Sequence, residues 1–385
     1  MKTRKSVTTG LATAIAIAGG ALASHADADS NVTLYGLVDA GVRYSNNNVA
    51  SDGTNNNELW QLRSGALSAS RFGLKGAEEL GGGVKGVFTL EAGFDPSNGA
   101  LPTSSTAPTT SRLFNREATV GLAGEFGALT FGRQTGATID AVTAFDPLGW
   151  ANLDSVAWYT GMTGGRFDRT VKFHGDVKGL QYALLYGFGD SSNDHRSNET
   201  YGGTLGWGRD PFTLIGGYQE THDDLKHRAR NWTAGGTFGY GNSKLYAGYI
   251  DSRLDNGFGL SSWNPPTGSG LTPQPTYQDS ALWVDVDGLG RHDQFFLVGL
   301  SAEAAPRTTL TIGYMNDRVT NVPQEFRRET IYGVADYTLS KRTDAYLLVD
   351  YNRNSNDVPL QRALNGMPAS QSQQTGAMIG VRHRF

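Results

Sequence analysis

Cysteine is absent from all 385 residues. That excludes a disulfide framework, thiol chemistry and any Cys-based metal site. Beyond the first stretch of the chain there is no uncharged apolar run long enough for a transmembrane helix. The mean hydropathy of −0.38 alone would suggest a soluble protein. A membrane β-barrel escapes that inference, because only alternate residues of its strands need be apolar. An excess of basic charge is also missing, with 33 Lys and Arg against 37 Asp and Glu, so nothing suggests nucleic-acid binding. No G-x-S-x-G elbow occurs, and nothing points to an enzyme or a cofactor.

An uncharged stretch of mostly small or apolar residues lies at the start. Met1-Lys-Thr-Arg-Lys5 is basic, residues 6–24 carry no charge, and Ala26-Asp27-Ala28 supplies an A-x-A site. This pattern reads as a secretory signal peptide over 1–28, with cleavage after Ala26 as the alternative. The remainder, 29–385, is then one barrel domain. Taking Lys2, Arg4, Lys5 and Asp27 away leaves 30 basic and 36 acidic residues, a formal charge of −6.

What is abundant is glycine (51) and aromatics, with 16 Tyr, 17 Phe and 7 Trp. They fall in short alternating segments. At the end, Ala377, Ile379, Val381 and Phe385 share one parity, broken by His383; Met378, Gly380, Arg382 and Arg384 share the other. Such alternation is a strand with one apolar and one wet face. Similar segments lie near 31–44, 60–77, 84–94, 112–123, 127–134, 168–175, 180–188, 200–208, 211–220, 230–239, 243–252, 292–303, 306–315, 327–338, 342–351 and 374–385, sixteen in all.

Short and long connections alternate strictly between them. The short set begins with 78–83 and 124–126; the long set is 45–59, 95–111, 135–167, 189–199, 221–229, 253–291, 316–326 and 352–373. This is the asymmetry of an outer-membrane barrel, with short periplasmic turns and long external loops. A charged side chain facing lipid at mid-depth costs about 2–4 kcal/mol. The parity of Arg71, Lys75, Lys85 and Glu91 therefore faces the lumen, and a sixteen-stranded barrel is wide enough for water. Aromatics near strand ends, Tyr35, Tyr44, Trp207, Tyr218, Trp232, Tyr240, Tyr249 and Tyr314 among them, read as interfacial girdles.

Loop 135–167 is long and little charged, which suits a segment tucked inside the barrel. Its Asp140, Asp146 and Asp154 are candidates to oppose the cations Arg71, Lys75, Arg116 and Arg133 across a constriction, where facing charges steer solutes. Strict parity places Arg116 with Ala118 and Val120, on the outward face. Other constellations are weak. His222, His227, Asp223 and Asp224 match no standard metal spacing, and Asp285-Val-Asp287-Gly288 lacks the later ligands of a Ca²⁺ loop.

Several segments resemble the general porins of Gram-negative bacteria, especially the β-proteobacterial group. They are Val32-Thr-Leu-Tyr-Gly-Leu-Val-Asp-Ala-Gly41, Ser70-Arg-Phe-Gly-Leu-Lys-Gly-Ala-Glu-Glu-Leu-Gly-Gly-Gly-Val-Lys85, Phe114-Asn-Arg-Glu-Ala-Thr-Val-Gly-Leu122, Leu129-Thr-Phe-Gly-Arg-Gln134, Leu339-Ser-Lys-Arg-Thr343 and Gly380-Val-Arg-His-Arg-Phe385. The resemblance implies an all-β, sixteen-stranded antiparallel transmembrane barrel with an inward-folded third loop. It implies a homotrimer set in outer-membrane lipid and lipopolysaccharide. Its constriction positions fall on Arg71, Arg116 and Arg166, which places Arg116 in the lumen. It makes the terminal Phe385 the signal read by the barrel-insertion machinery. Loop 253–291 is longer than usual for the family. The expected function is passive diffusion of small hydrophilic solutes. The alternatives are a solute-specific porin for sugars or organic acids, or a plugged barrel with an enzymatic or adhesive role. The arginines favour anions; the net charge and loop acids favour cations.

Overall fold

The computed structural model describes residues 31–48, 57–101, 113–151, 164–189, 199–223, 225–258, 290–322, 325–355 and 372–385. The alternating segments become strands. β1 (Asn31–Asn48), β2 (Asn57–Ser64), β3 (Arg71–Gly81), β4 (Val84–Gly93), β5 (Glu117–Gly124) and β6 (Gly127–Thr135) precede one helix, α1 (Ala137–Phe145). Then come β7 (Arg166–Val177), β8 (Leu180–Gly187), β9 (Thr200–Arg209), β10 (Phe212–His222), β11 (Arg228–Tyr240) and β12 (Ser243–Leu254). β13 (Arg291–Ala305), β14 (Thr308–Thr320), β15 (Phe326–Thr338), β16 (Thr343–Asn354) and β17 (Gln373–Arg384) complete the chain.

From β3 onward consecutive strands pair antiparallel, and β17 returns to β1 with Leu37 opposite Arg384. Phe385 and Gly36 extend that seam by exchanging N–H···O bonds of 3.0 and 3.2 Å. Closure matters because an open edge in hydrocarbon leaves peptide groups without partners. The seventeen segments make sixteen barrel strands. β1 pairs with β2 over Ala40–Asn48 and with β3 over Asn31–Leu37, so β2 and β3 are two stretches of one strand.

Six of the short connections have two residues, four of them fewer than the sequence suggests; the seventh, between β15 and β16, has four, two more than expected. Between β3 and β4 the turn is Gly82-Gly83, and Gly81, Gly82 and Gly83 all have positive φ, a region that glycine enters without steric cost.

Face assignment follows the parity. Ile379 is 65% exposed on the outer face, whereas its neighbour Met378 is 2% exposed inside. Arg382 and Arg384, also inside, both donate to Asp344. His383, the polar residue in the outer stripe, shares a 2.9 Å hydrogen bond with Thr343 Oγ1 on β16.

Three expectations need correcting. The second strand, read as continuous over 60–77, is interrupted at 65–70, where the chain leaves the sheet for the lumen. The fourth starts at Glu117 and not at 112, because Asn115 spends its side-chain amide on β4: Gly93 N–H donates to Oδ1 and Nδ2 donates to the Gly93 carbonyl. Tyr35 is no girdle residue; its hydroxyl donates to Glu91 inside the barrel at 3.1 Å.

Candidate functional site

The third long loop begins with α1, which no sequence pattern announced. Nine residues are too few for a stable helix in water. This one is held by the inner wall, where Ile139, Val142 and Phe145 are fully buried. It packs on β8 to β12. The wall is shaped for it by glycine. A Cβ on Gly248 would lie 2.1 Å from the Phe145 ring, one on Gly235 2.3 Å from it, and one on Gly299 2.2 Å from Pro147. Missing side chains on β11, β12 and β13 are thus the sockets for this loop.

Asp140 lies in the first turn of α1. Thr135 Oγ1 donates to its Oδ1 at 2.6 Å, and the Lys172 ammonium on β7 donates to its Oδ2. The Lys172 side chain is 7% exposed and that of Asp140 is 30% exposed. The acid is therefore the partner that faces water. Asp146 ends the helix and caps the next turn, accepting from Leu148 N at 3.1 Å and Trp150 N at 2.8 Å. Asp154 lies outside the described residues.

The cations gather on β3 to β7. Arg116 Nε donates to Glu91 Oε1 at 2.6 Å, and Arg71 Nε lies 3.5 Å from Glu91 Oε2. Arg133 donates to Asp168 at 2.7 Å and to the Asn115 carbonyl at 2.8 Å. Arg166 stacks over Trp150 at 4.4 Å and lies within electrostatic range of Arg116, Arg133, Glu91 and Glu117. Arg116 reaches the lumen against strict parity, because residues 115–116 lie just outside the regular ladder of β5. Arg133 turns at a register break around Gly132, whose φ is +128°. Lys75 is exposed, with its ammonium over the Tyr35 ring at 5.3 Å. Sequence reasoning placed Glu91 in the lumen without giving it a role, and it missed Lys172 and Asp168. The signal for Glu91 was its parity beside Arg71, and Lys172 carried the same signal between Val171 and Phe173, in the regular ladder opposite Thr130; the register break between Gly132 and Gln134 hid Asp168.

A second inward element is the segment 65–70. Its anchor is Asp39 on β1, wholly buried. Gly65 N donates to the Asp39 carbonyl at 2.6 Å, Ser68 N to Oδ2 at 2.8 Å, and Tyr346 Oη to Oδ1 at 2.8 Å. Tyr346 Oη in turn accepts from Ala66 N at 3.0 Å. The small-residue run Ser64-Gly-Ala-Leu-Ser-Ala-Ser70 was its only sequence sign. Ile139, Ala141, Val142 and Phe145 of α1 belong with Ala66 and Leu67 to one cluster that includes inward side chains of β12 to β17 such as Phe295, Tyr332 and Leu348.

The lumen is thus narrowed by a helix on one wall and a protrusion at β1 and β16. The side chains of Arg71 and Lys75 present positive charge to water on β3, and Asp140 presents negative charge on α1. No group of three or more His, Cys, Asp or Glu suited to a metal occurs among the described residues. His227 is engaged with Asp223 at 2.9 Å, and Asp224, Asp285 and Asp287 lie outside the described residues.

A family model described as Gram-negative porin matches residues 12–357. An outer membrane porin protein of Bordetella pertussis is 25% identical over 94% of this chain and 96% of its own length. Among solved structures, the anion-selective porin from Comamonas acidovorans superposes with a TM-score of 0.72 at 21% identity, covering 93% of this chain and 100% of that one. OmpT of Vibrio cholerae in a trimer form gives a TM-score of 0.60 at 15% identity, over 92% of this chain and 99% of that one.

Proposed function

The chain belongs to the Gram-negative porin family and is a channel of the outer membrane; from that premise we propose that its constriction sorts small hydrophilic solutes and ions by size and by a transverse charge separation. The observation that carries this is that Arg71 and Lys75 on β3 leave positive charge open to water, while Asp140 on α1, the helix that packs on β8 to β12, leaves negative charge open. Arg71 and Asp140 each keep about a third of their side-chain surface open, 30% in both cases. Their buried partners, Glu91 and Lys172, hold them in place. Anions then track the β3 wall and cations the helix, as rings of fixed charge do in other pores. Passage is down the gradient, and Arg116, Arg133 and Arg166 act as the frame that fixes the cationic wall. Size selection falls to α1 and the protrusion at 65–70.

Members of this family form trimers. For this chain a homotrimer is supported by the small outward residues Gly36, Ala40, Gly76 and Gly86, which let barrels approach closely. A groove of about 360 Å³ lies on that face, lined by Gly76, Gly86, Phe88, Val120 and Leu122 among others. Removal of residues 1–28 on export, contact with lipopolysaccharide at the outer rim, and recognition of Phe385 by the insertion machinery belong to the same reading.

Planar-bilayer recording tests it. The expected result is a conductance that rises linearly with salt and is not blocked by sugars or organic acids. Saturation with one solute would mean a dedicated binding site instead, and absence of conductance would mean a plugged lumen.

A further inference from the structure

The outer face of β9 to β13 is concave. A groove of about 1040 Å³ opens there to the surroundings of the barrel. Its floor is made of small outward residues, Ala234, Gly236 and Ala247, and its walls include Leu214, Leu245 and Phe296. Leu214, Leu245 and Phe296 are 65%, 50% and 42% exposed. The face is distant in strand order from β1, β3 and β4, where the small residues suited to a neighbouring copy lie.

The depth of the groove is set by the ladders. Phe212 and Phe238 pair at its lower end, beside the two-residue turns, with rings stacked at 4.9 Å. Tyr249, at its upper end, lies six residues above the start of β12, mid-strand and not at the interface its sequence position suggested. Six residues of a strand tilted by roughly 45° climb about 15 Å, half of a hydrocarbon core of about 30 Å. The groove therefore occupies the leaflet on the side of the short turns, which is the periplasmic one. At that end Arg209 is the direct cross-strand partner of Phe212, and cross-strand partners share a face. Arg209 is exposed and makes no ion pair among the described residues. Trp207 lies on the same face, at headgroup depth, where Trp is favoured.

We propose that this groove seats one acyl chain of an inner-leaflet phospholipid, with its phosphate on the Arg209 guanidinium. Bulk lipid tails are as apolar as the groove, so the preference arises from packing against three sides and from the charge contact, and not from a hydrophobic driving force. A planar guanidinium matches phosphate oxygens in two directions at once. Lipopolysaccharide is excluded by depth, because it resides in the other leaflet.

The test uses the full protein purified in mild detergent and titrated with dioleoylphosphatidylethanolamine, with bound lipid counted by native mass spectrometry. One lipid per barrel is expected. Ala247→Trp fills the groove from the outer face and should lower retention at least tenfold. Ala234→Leu provides the same test should the larger residue fail to fold. Arg209→Gln should lower retention several-fold and remove any preference over dioleoylglycerol, which has no phosphate. Bilayer conductance should stay at the wild-type value in all three, which separates failure of this inference from failure of the channel reading. Equal retention by wild type and the groove-filling variants overturns the proposal. So does crosslinking of an Ala247→Cys variant to a second barrel, a clean experiment in a chain without cysteine. Retention of lipopolysaccharide in place of the phospholipid overturns it as well.

Discussion

Phe145→Ala should loosen the helix that narrows the lumen while leaving the barrel intact. The ring is fully buried and fills the space above Gly235 and Gly248. Truncating a buried Phe to Ala costs about 3–5 kcal/mol. The strand ladders do not pass through this contact, so the cost falls on the seating of the loop. A loss of about 3 kcal/mol is roughly a hundredfold in the ratio of seated to unseated loop. Single-channel recordings should show a larger mean conductance and more open-channel noise. Gly248→Val approaches the same contact from the wall. Its Cβ would meet the ring at 2.1 Å, and overpacking of this kind costs about 1–3 kcal/mol. The two variants should share a phenotype. Wild-type conductance and noise in both, in barrels that still migrate as folded on unheated gels, would refute the socket as the holder of the loop.

Asp39→Ala should release the protrusion at 65–70, since it strands Ser68 N–H and the Tyr346 hydroxyl, each at about 1–3 kcal/mol. Conductance should rise and the temperature at which the folded gel band is lost should fall; an unchanged value of both would assign the anchor elsewhere. Lys172→Met removes the cation that neutralises Asp140, so the reversal potential in a salt gradient should move toward cations, and a move toward anions would contradict the pairing. Deleting Phe385 removes the exchange of hydrogen bonds with Gly36; folded barrel in the outer membrane should drop several-fold by immunoblot, and unchanged yield would deny it a role in assembly.

Most of the barrel was legible because its rules are local. Alternation placed the outer stripe from Ala377 to Val381, and two-residue turns separated strands whose loops on the other side are long. Closure between β1 and β17 needed only the count of strands. The departures come where tertiary contacts overrule local pattern. The segment 65–70 carries no apolar period of its own and goes where Asp39 offers acceptors. Helix α1 depends on Gly235, Gly248 and Gly299, residues far away in sequence whose meaning is the absence of a side chain. Arg116 shows how parity fails at a strand end: one residue outside the ladder is enough to turn a side chain inward, and there the family resemblance gave the right face. For Asp146 the sequence offered a carboxylate in the right loop, and the structure gives it a turn to cap. Asp140, six residues earlier, has the same chemistry with its charge left toward water.

Reversal potential across a KCl gradient, compared for Arg71→Ala and Asp140→Asn against wild type, tests the transverse charge separation most directly. Arg71→Ala should shift selectivity toward cations and Asp140→Asn toward anions. No shift in either, or shifts of the same sign, would contradict a constriction in which β3 carries the anions and α1 the cations.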